Sequence, residues 1–414
     1  MSDEKSAAST AKRATHRRPA VVGGAVLATS CLVLAACSSN GSATTGGAGA
    51  GGGDVACGQM KIGLIGPITG PSSSFGQADK DSAQLAIDKY NAANPKCKVT
   101  LQLFDTKGDA SAAPAAATKA VQDKQIVAIL GPEFSGEVES AEPIFDRAGM
   151  PTVTSDATAV DLASHGWKVF HRTIGSDGVE APGEAIHTIK DRKLTSVAVI
   201  NNGESYGAGI AKAFATVTPK LGGKVAMRAT IDASGSDYSS TVLAIKSSKA
   251  DAVYCGCLYP EAARLVKQLR QGGVKIPFVT DAGSVETAFT TLAGPQAATG
   301  AIGGIAGNLA SRYAPAKQFL ADYVAKYGKK ASQTYAPQGY DAAQAILKSI
   351  KAGKHSRSGI NSYLDTISFD GVSGHIKFLP NGNLDVDTVN IMRAGSDGWT
   401  YAKQVKVPDS LKIG

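Results

Sequence analysis

From residue 60 onward the chain alternates short apolar, β-branched runs with longer segments whose apolar residues recur at helical spacing. Each such unit reads as a strand followed by a crossover helix, so the strands should lie parallel with helices covering the sheet. The spacing predicts strands over 60–65, 99–104, 126–130 and 152–154. A helix over 79–90 places Ala83, Ala86, Ile87 and Tyr90 on one face, and an Ala-rich helix follows over 111–124. A second series starts near Ser176, with helices over 180–191, 209–221, 238–248 and 261–271 and strands over 197–200, 224–231, 252–257 and 277–280. Helices over 315–327 and 340–352 come next, and Asn381-Gly382 supplies the turn of a terminal hairpin. The expected class is α/β, two similar halves of parallel sheet flanked by helices, which suits a chain of 414 residues.

Ahead of this body, basic residues ending in Arg17 and Arg18 precede an apolar run from Pro19 to Ala36, the pattern of an export signal. Leu34-Ala35-Ala36-Cys37 resembles the lipobox of bacterial lipoproteins, in which the Cys is diacylated and becomes the new N-terminus. Cys37 is therefore the expected lipidation site and residues 1–36 the signal peptide. An uncleaved membrane anchor is the competing reading, since the run could cross most of a ~30 Å hydrocarbon layer, but Pro19, Gly23 and Gly24 weaken a spanning helix. Residues 37–56 are nearly all Ser, Gly, Ala and Thr and read as a flexible tether. The folded body is expected outside the membrane and close to its outer face.

The charge balance, 43 Lys and Arg against 35 Asp and Glu, shows no basic run interleaved with aromatics, so nucleic acid is not an expected partner. The six His are scattered without metal-ligand spacing, and neither a Gly-x-Gly-x-x-Gly turn nor a Walker lysine occurs, so no cofactor or metal is expected. Cys57 and Cys97 each precede a strand of what should be a neighbouring parallel pair, and in an oxidising compartment they are expected to pair. Cys255 and Cys257 face one side of one strand; with no His or further Cys nearby they read as core residues.

Loops at the carboxyl ends of the strands, where open parallel sheets bind ligands, are rich in Gly, Ser, Thr and Asp. One of them, Gly203-Glu204-Ser205-Tyr206-Gly207, has the Gly-x-Ser-x-Gly form of a hydrolase nucleophile elbow, with Asp341 and then His355 or His375 following in triad order. His355 lies in a Lys/Arg/Ser-rich segment and His375 within the terminal hairpin, and no His-Gly-Gly oxyanion string accompanies them. A serine hydrolase stays as a remote alternative to a binding protein that performs no chemistry.

Four blocks in order, Ile62–Gly76 (IGLIGPITGPSSSFG), Asp105–Pro132 ending in VAILGP, Gln338–Ala343 (QGYDAA) and Phe369–Asn383 (FDGVSGHIKFLPNGN), resemble the leucine/isoleucine/valine-binding proteins and their relatives. The likeness runs from about Lys61 to about Asp387. It implies the type I periplasmic-binding-protein fold, two lobes joined by three hinge crossovers, serving an ABC importer. By resemblance one lobe would hold 57–175 and 304–378, the other 176–303 and 379–414. The family's carboxylate-binding serine matches Ser135 and its threonine Thr158. Asp156 falls where the relatives usually carry a small residue; either its carbonyl alone meets the ligand ammonium, or its carboxylate favours a ligand with a second cationic group. Phe75 matches the aromatic of the first loop and Tyr206 the tyrosine of the second lobe. Asp281, with Glu286 as the alternative, stands near the ammonium-pairing acid, and Leu258 and Tyr259 occupy the loop that shapes the side-chain pocket. The implied protein is a monomeric, lipid-anchored receptor that hands a branched-chain or related amino acid to an ABC permease. Amides, urea and aromatic carboxylates are alternative ligands, and a sensor of the same fold is an alternative role.

Overall fold

The computed structural model describes residues 53–332 and 334–414. The expected signal peptide, Cys37 and the tether up to residue 52 lie outside the described residues. In the first sheet β1 (Lys61–Gly66), β2 (Thr100–Asp105), β3 (Ile126–Leu130), β4 (Thr152–Thr154) and β5 (Phe170–Arg172) run parallel in the order β2-β1-β3-β4-β5. The helices α1 (Ser73–Ala93), α2 (Ala113–Gln122) and α3 (Ser135–Ala148) connect the first four. Strands β1 and β3 are central and covered on both faces, which is why they read as continuous apolar runs rather than alternating ones.

The chain then enters the second sheet through α4 (Asp177–Ala185), β6 (Ser196–Asn201), α5 (Ser205–Val217), β7 (Lys224–Thr230) and α6 (Ser239–Ser248). It continues with β8 (Ala252–Gly256), α7 (Tyr259–Gln271), β9 (Phe278–Thr280), α8 (Thr287–Ala293), α9 (Pro295–Ala298) and β10 (Ile302–Ala306). The parallel part has the order β7-β6-β8-β9-β10, the same topology as the first sheet. In both, strand order reverses beside the first strand of the series, and the loops flanking that reversal open a crevice.

The chain next returns to the first half as α10 (Lys317–Tyr327), α11 (Tyr335–Lys351) and α12 (Arg357–Leu364), followed by a small hairpin of β11 (Ser368–Asp370) and β12 (His375–Lys377). Ala83 and Ile87 of α1, Ala342, Ala343 and Ile346 of α11 and Leu64 of β1 share one buried cluster. Finally β13 (Thr388–Gly395) and β14 (Gly398–Lys406) add to β10 as an antiparallel pair. The chain thus passes between the sheets three times, and the described residues contain no helix long and apolar enough to cross a membrane.

Three expectations need correction. The second sheet is mixed rather than wholly parallel, because β13 pairs antiparallel with β10 and β14. The break expected between 303 and 304 falls inside β10, all of whose residues pair with β13, so the chain leaves this sheet only after Ala306. Residues 379–384 stay with the first half: Phe378 bridges Leu384, and Arg172 donates through its backbone N to Gly382 O and through Nε to Asn383. The Asn381-Gly382 turn is present, closed by Leu379 N to Asn383 O at 2.7 Å.

Cys57 and Cys97, one ahead of β1 and the other ahead of β2, form a disulfide as expected. Cys255 and Cys257 are buried core residues, but they are also bonded to each other. Residues two apart in a straight strand stand about 6.8 Å apart. Strand β8 ends at Gly256, and the turn of the chain there brings the two Cα atoms to 5.5 Å.

Candidate functional site

A cavity of about 400 Å³ lies between the carboxyl ends of the two sheets. Its walls come from the loops after β1, β2, β3 and β4 on one side and after β6, β7 and β8 on the other, with Tyr335 from the start of α11. Five of the residues expected to bind the ligand line it, Phe75, Ser135, Asp156, Tyr206 and Leu258, as does Ser205. Thr158, Tyr259 and Asp281 are buried in the surrounding wall rather than on the cavity surface. Glu286, the alternative to Asp281, lines a separate hollow beside Trp399.

Phe75 anchors an aromatic cluster, with Phe134, Tyr259 and Tyr335 at centroid distances of 5.5, 5.4 and 4.9 Å. These rings form an apolar wall. Ser135 begins α3, and its hydroxyl accepts from Ala159 N at 3.2 Å. The first turn of α3 is fixed by Glu137, whose carboxylate accepts from Phe134 N and from Thr106 Oγ1. The Thr158 hydroxyl is buried without a partner, while its carbonyl accepts from Asp177 N.

On the opposite wall, Asp281 accepts from Cys257 N at 3.0 Å, and Tyr206 Oη accepts from Gly283 N at 3.3 Å. A Cβ at Gly283 would stand 3.0 Å from each of Asp281 Oδ1, Leu258 Cδ2 and Tyr206 Cε1, so glycine is what lets those three side chains converge. Burial drives the Asp281 carboxyl well above its ordinary range, with the nearby Asp177 adding to the effect. Its Oδ1 has no partner.

The amino ends of α1, α3, α5 and α7 all reach the cavity, each contributing lining residues at or just before its first turn. Backbone N–H groups and helix dipoles there favour an anionic group. Buried acids in the same walls, Asp156 and Glu261 lining and Asp281 behind, favour a cationic one. The two halves touch across the cavity mouth: Ser205 Oγ donates to Glu139 at 2.5 Å and Tyr259 Oη to Pro71 O at 2.5 Å.

The hydrolase triad is not assembled. Ser205 donates to Glu139, Asp341 accepts from Val372 N and from both the backbone N and the hydroxyl of Ser373, His355 lies beside Cys57, and His375 bonds Asp370. The Gly-x-Ser-x-Gly string has a packing reason instead. A Cβ at Gly207 would fall 2.4 Å from Gly256 O, so the glycine allows α5 to start against the end of β8.

Sequence reasoning missed Tyr335, Lys107 and Arg264. Tyr335 sits five residues before the start assigned to its helix, which Pro337 and Gly339 obscured. Lys107 occupies a left-handed turn position at φ 58°, where no pattern marks a lining residue. Arg264, one turn beyond Pro260, was legible in principle from helical spacing.

Paired sheets of one topology, exchanging chain three times and meeting over a cavity at their carboxyl ends, define the type I periplasmic-binding-protein fold. The chain belongs to that family, with residues 59–398 matching the family described as Periplasmic binding protein. It is 32% identical over 322 residues to the Leu/Ile/Val-binding protein BraC3 of Rhizobium johnstonii, covering 74% of this chain and 87% of that one. It is 28% identical over 333 residues to the leucine-, isoleucine-, valine-, threonine- and alanine-binding protein of Pseudomonas aeruginosa, covering 80% and 88%. Among solved structures, the branched-chain amino acid transporter substrate-binding protein LivJ of Streptococcus pneumoniae, in complex with isoleucine, superposes with a TM-score of 0.76 at 25% identity. The match covers 84% of this chain and 99% of that one.

Proposed function

We propose that the protein is the solute receptor of an ABC importer, capturing one small α-amino acid between its halves and presenting it to a membrane permease. The observation that carries this reading is the opposed chemistry of one cavity. Helix amino ends and Ser135 line it, buried acids stand in its walls, and the aromatic cluster of Phe75 gives it an apolar wall. A zwitterion with a short apolar side chain needs such donors, acceptors and wall together. A volume of about 400 Å³ suits a ligand of amino-acid size. The relatives named for leucine, isoleucine and valine support a branched-chain or related ligand.

In this reading Ser135 and Thr158 hold the carboxylate, the Asp156 carbonyl and Asp281 meet the ammonium, and Tyr206, Leu258 and Tyr259 shape the far side. Cys37 carries the lipid that keeps the receptor at the outer face of the membrane. A thermal-shift screen against the common amino acids, short amides and aromatic carboxylates tests the ligand class. Binding at about 1,000 times Kd stabilises by about 4 kcal/mol, a shift of many degrees confined to aliphatic amino acids. A shift with benzoate-like or amide compounds and none with amino acids would replace the ligand class. For the anchor, Cys37→Ser should move the protein from the membrane fraction to the soluble one; unchanged membrane association would remove the lipid from the account.

A further inference from the structure

Behind the inner wall of the cavity lie three carboxylates that the amino-acid site does not use in concert. Asp79 comes from α1, Glu133 from the loop between β3 and α3, and Asp156 from the loop after β4. Their exposures are 4%, 0% and 8%, and one oxygen from each lies within 4.8 Å of the other two. Ser155 Oγ donates to Asp79 Oδ2. The second Asp79 oxygen and all four oxygens of Glu133 and Asp156 are buried with no hydrogen-bond partner. Among the described residues no Lys, Arg or His pairs with any of the three.

Carboxylates this close and this dry cannot all stay ionised without a positive charge among them. Protonation of two of the three would relieve part of that repulsion, but it would not engage the oxygens of all three together. A metal ion accepts several at once. We propose that Asp79, Glu133 and Asp156 form a site for one hard divalent cation at the back of the ligand cavity. The donor set is all oxygen, which suits calcium, magnesium or manganese rather than zinc or copper. Ligands about 2.4 Å from a calcium ion can stand at most about 4.8 Å apart, and one oxygen from each of the three carboxylates lies within that distance of the other two. Calcium tolerates an irregular set, whereas magnesium demands a near-octahedral one. Asp156 alone of the three also lines the cavity, so further oxygen ligands would come from that side. Burial pushes the Asp79 carboxyl up to about 7, and burial with mutual repulsion pushes Glu133 and Asp156 well above their usual range, as expected of a cluster short of positive charge.

The test uses purified protein stripped with a chelator, to which calcium, manganese or magnesium is returned while unfolding temperature is followed. Terbium luminescence gives a direct binding readout. The proposal expects a saturable 1:1 rise of several degrees at about 100 times Kd, and terbium emission displaced by calcium. In the double variant Asp79→Asn, Glu133→Gln, terbium affinity should fall at least tenfold while the ion-free unfolding temperature stays at or above that of the wild type. Should the double variant fail to fold, Glu133→Gln alone must show the same loss. Absence of any saturable ion effect on the wild type, or wild-type terbium affinity in a folded variant, overturns the proposal.

Discussion

Glu142 shows how far a single buried carboxyl can tie stability to pH. It lies on α3, accepts from Thr152 Oγ1 at 2.8 Å, and leaves its second oxygen without a partner. Burial pushes its carboxyl from 4.5 up to about 8. Because the folded value is the higher one, the protonated form contributes stability that is full below about pH 4.5 and drains away as pH rises toward 8. Glu142→Gln should therefore raise the unfolding temperature at pH 8, by about 2 °C per kcal/mol recovered, and change it little at pH 5. Equal pH profiles for the two proteins would remove Glu142 as a source of the dependence. Ser135 is the counterpart on the proposed ligand reading: if its hydroxyl bonds the ligand carboxylate, Ser135→Ala should lower affinity by about ten- to a hundredfold in calorimetry. At this scale legibility followed chain proximity to strand ends. Phe75, Ser135, Asp156, Tyr206 and Leu258 sit in loops that any parallel sheet exposes, whereas Asp79, Glu133 and Asp156 meet from three separate segments that no spacing connects.

Most of the parallel βαβ units were readable in kind: β3 and β4 have the predicted bounds and α7 begins two residues early, but α1 begins six residues and α5 four residues before the predicted start, and β5 was not predicted. Their central strands, such as β1, β3 and β8, are buried apolar runs, a signal that local sequence carries by itself. The hairpin of β13 and β14 was not readable as such, because β14 is largely exposed and polar toward its end, with Lys403, Gln404 and Lys406. Only its pairing with β10 makes it a strand of this sheet. The Cys255–Cys257 bond was missed for a related reason: it depends on where β8 stops. Two predictions belong to elements. Cys97→Ser opens a loop of 40 residues tying the segment before β1 to that before β2, and denaturant unfolding should report a loss of about 3–4 kcal/mol. Tyr259→Phe removes the bond from α7 to Pro71 O across the cavity mouth, and affinity should fall by about two- to tenfold with unfolding stability unchanged; unchanged affinity would show that this contact does not support closure.

For the molecule as a whole, the described contacts between Glu139 and Ser205 and between Tyr259 and Pro71 hold the halves together around the cavity. The halves are linked by only three passages of chain, so relative motion about those passages is the expected route of ligand entry. Small-angle scattering should then show a smaller radius of gyration with ligand than without, and identical curves would argue for a rigid cleft. The fold-level account rests on a small α-amino acid being held by opposed donors and acid groups in that cleft. Isothermal titration of wild type and Ser135→Ala with leucine, isoleucine and valine tests this most directly. The account predicts saturable 1:1 binding by the wild type to at least one of them, weakened about ten- to a hundredfold in the variant. No heat of binding with any of the three, or the same affinity in both proteins, would contradict it.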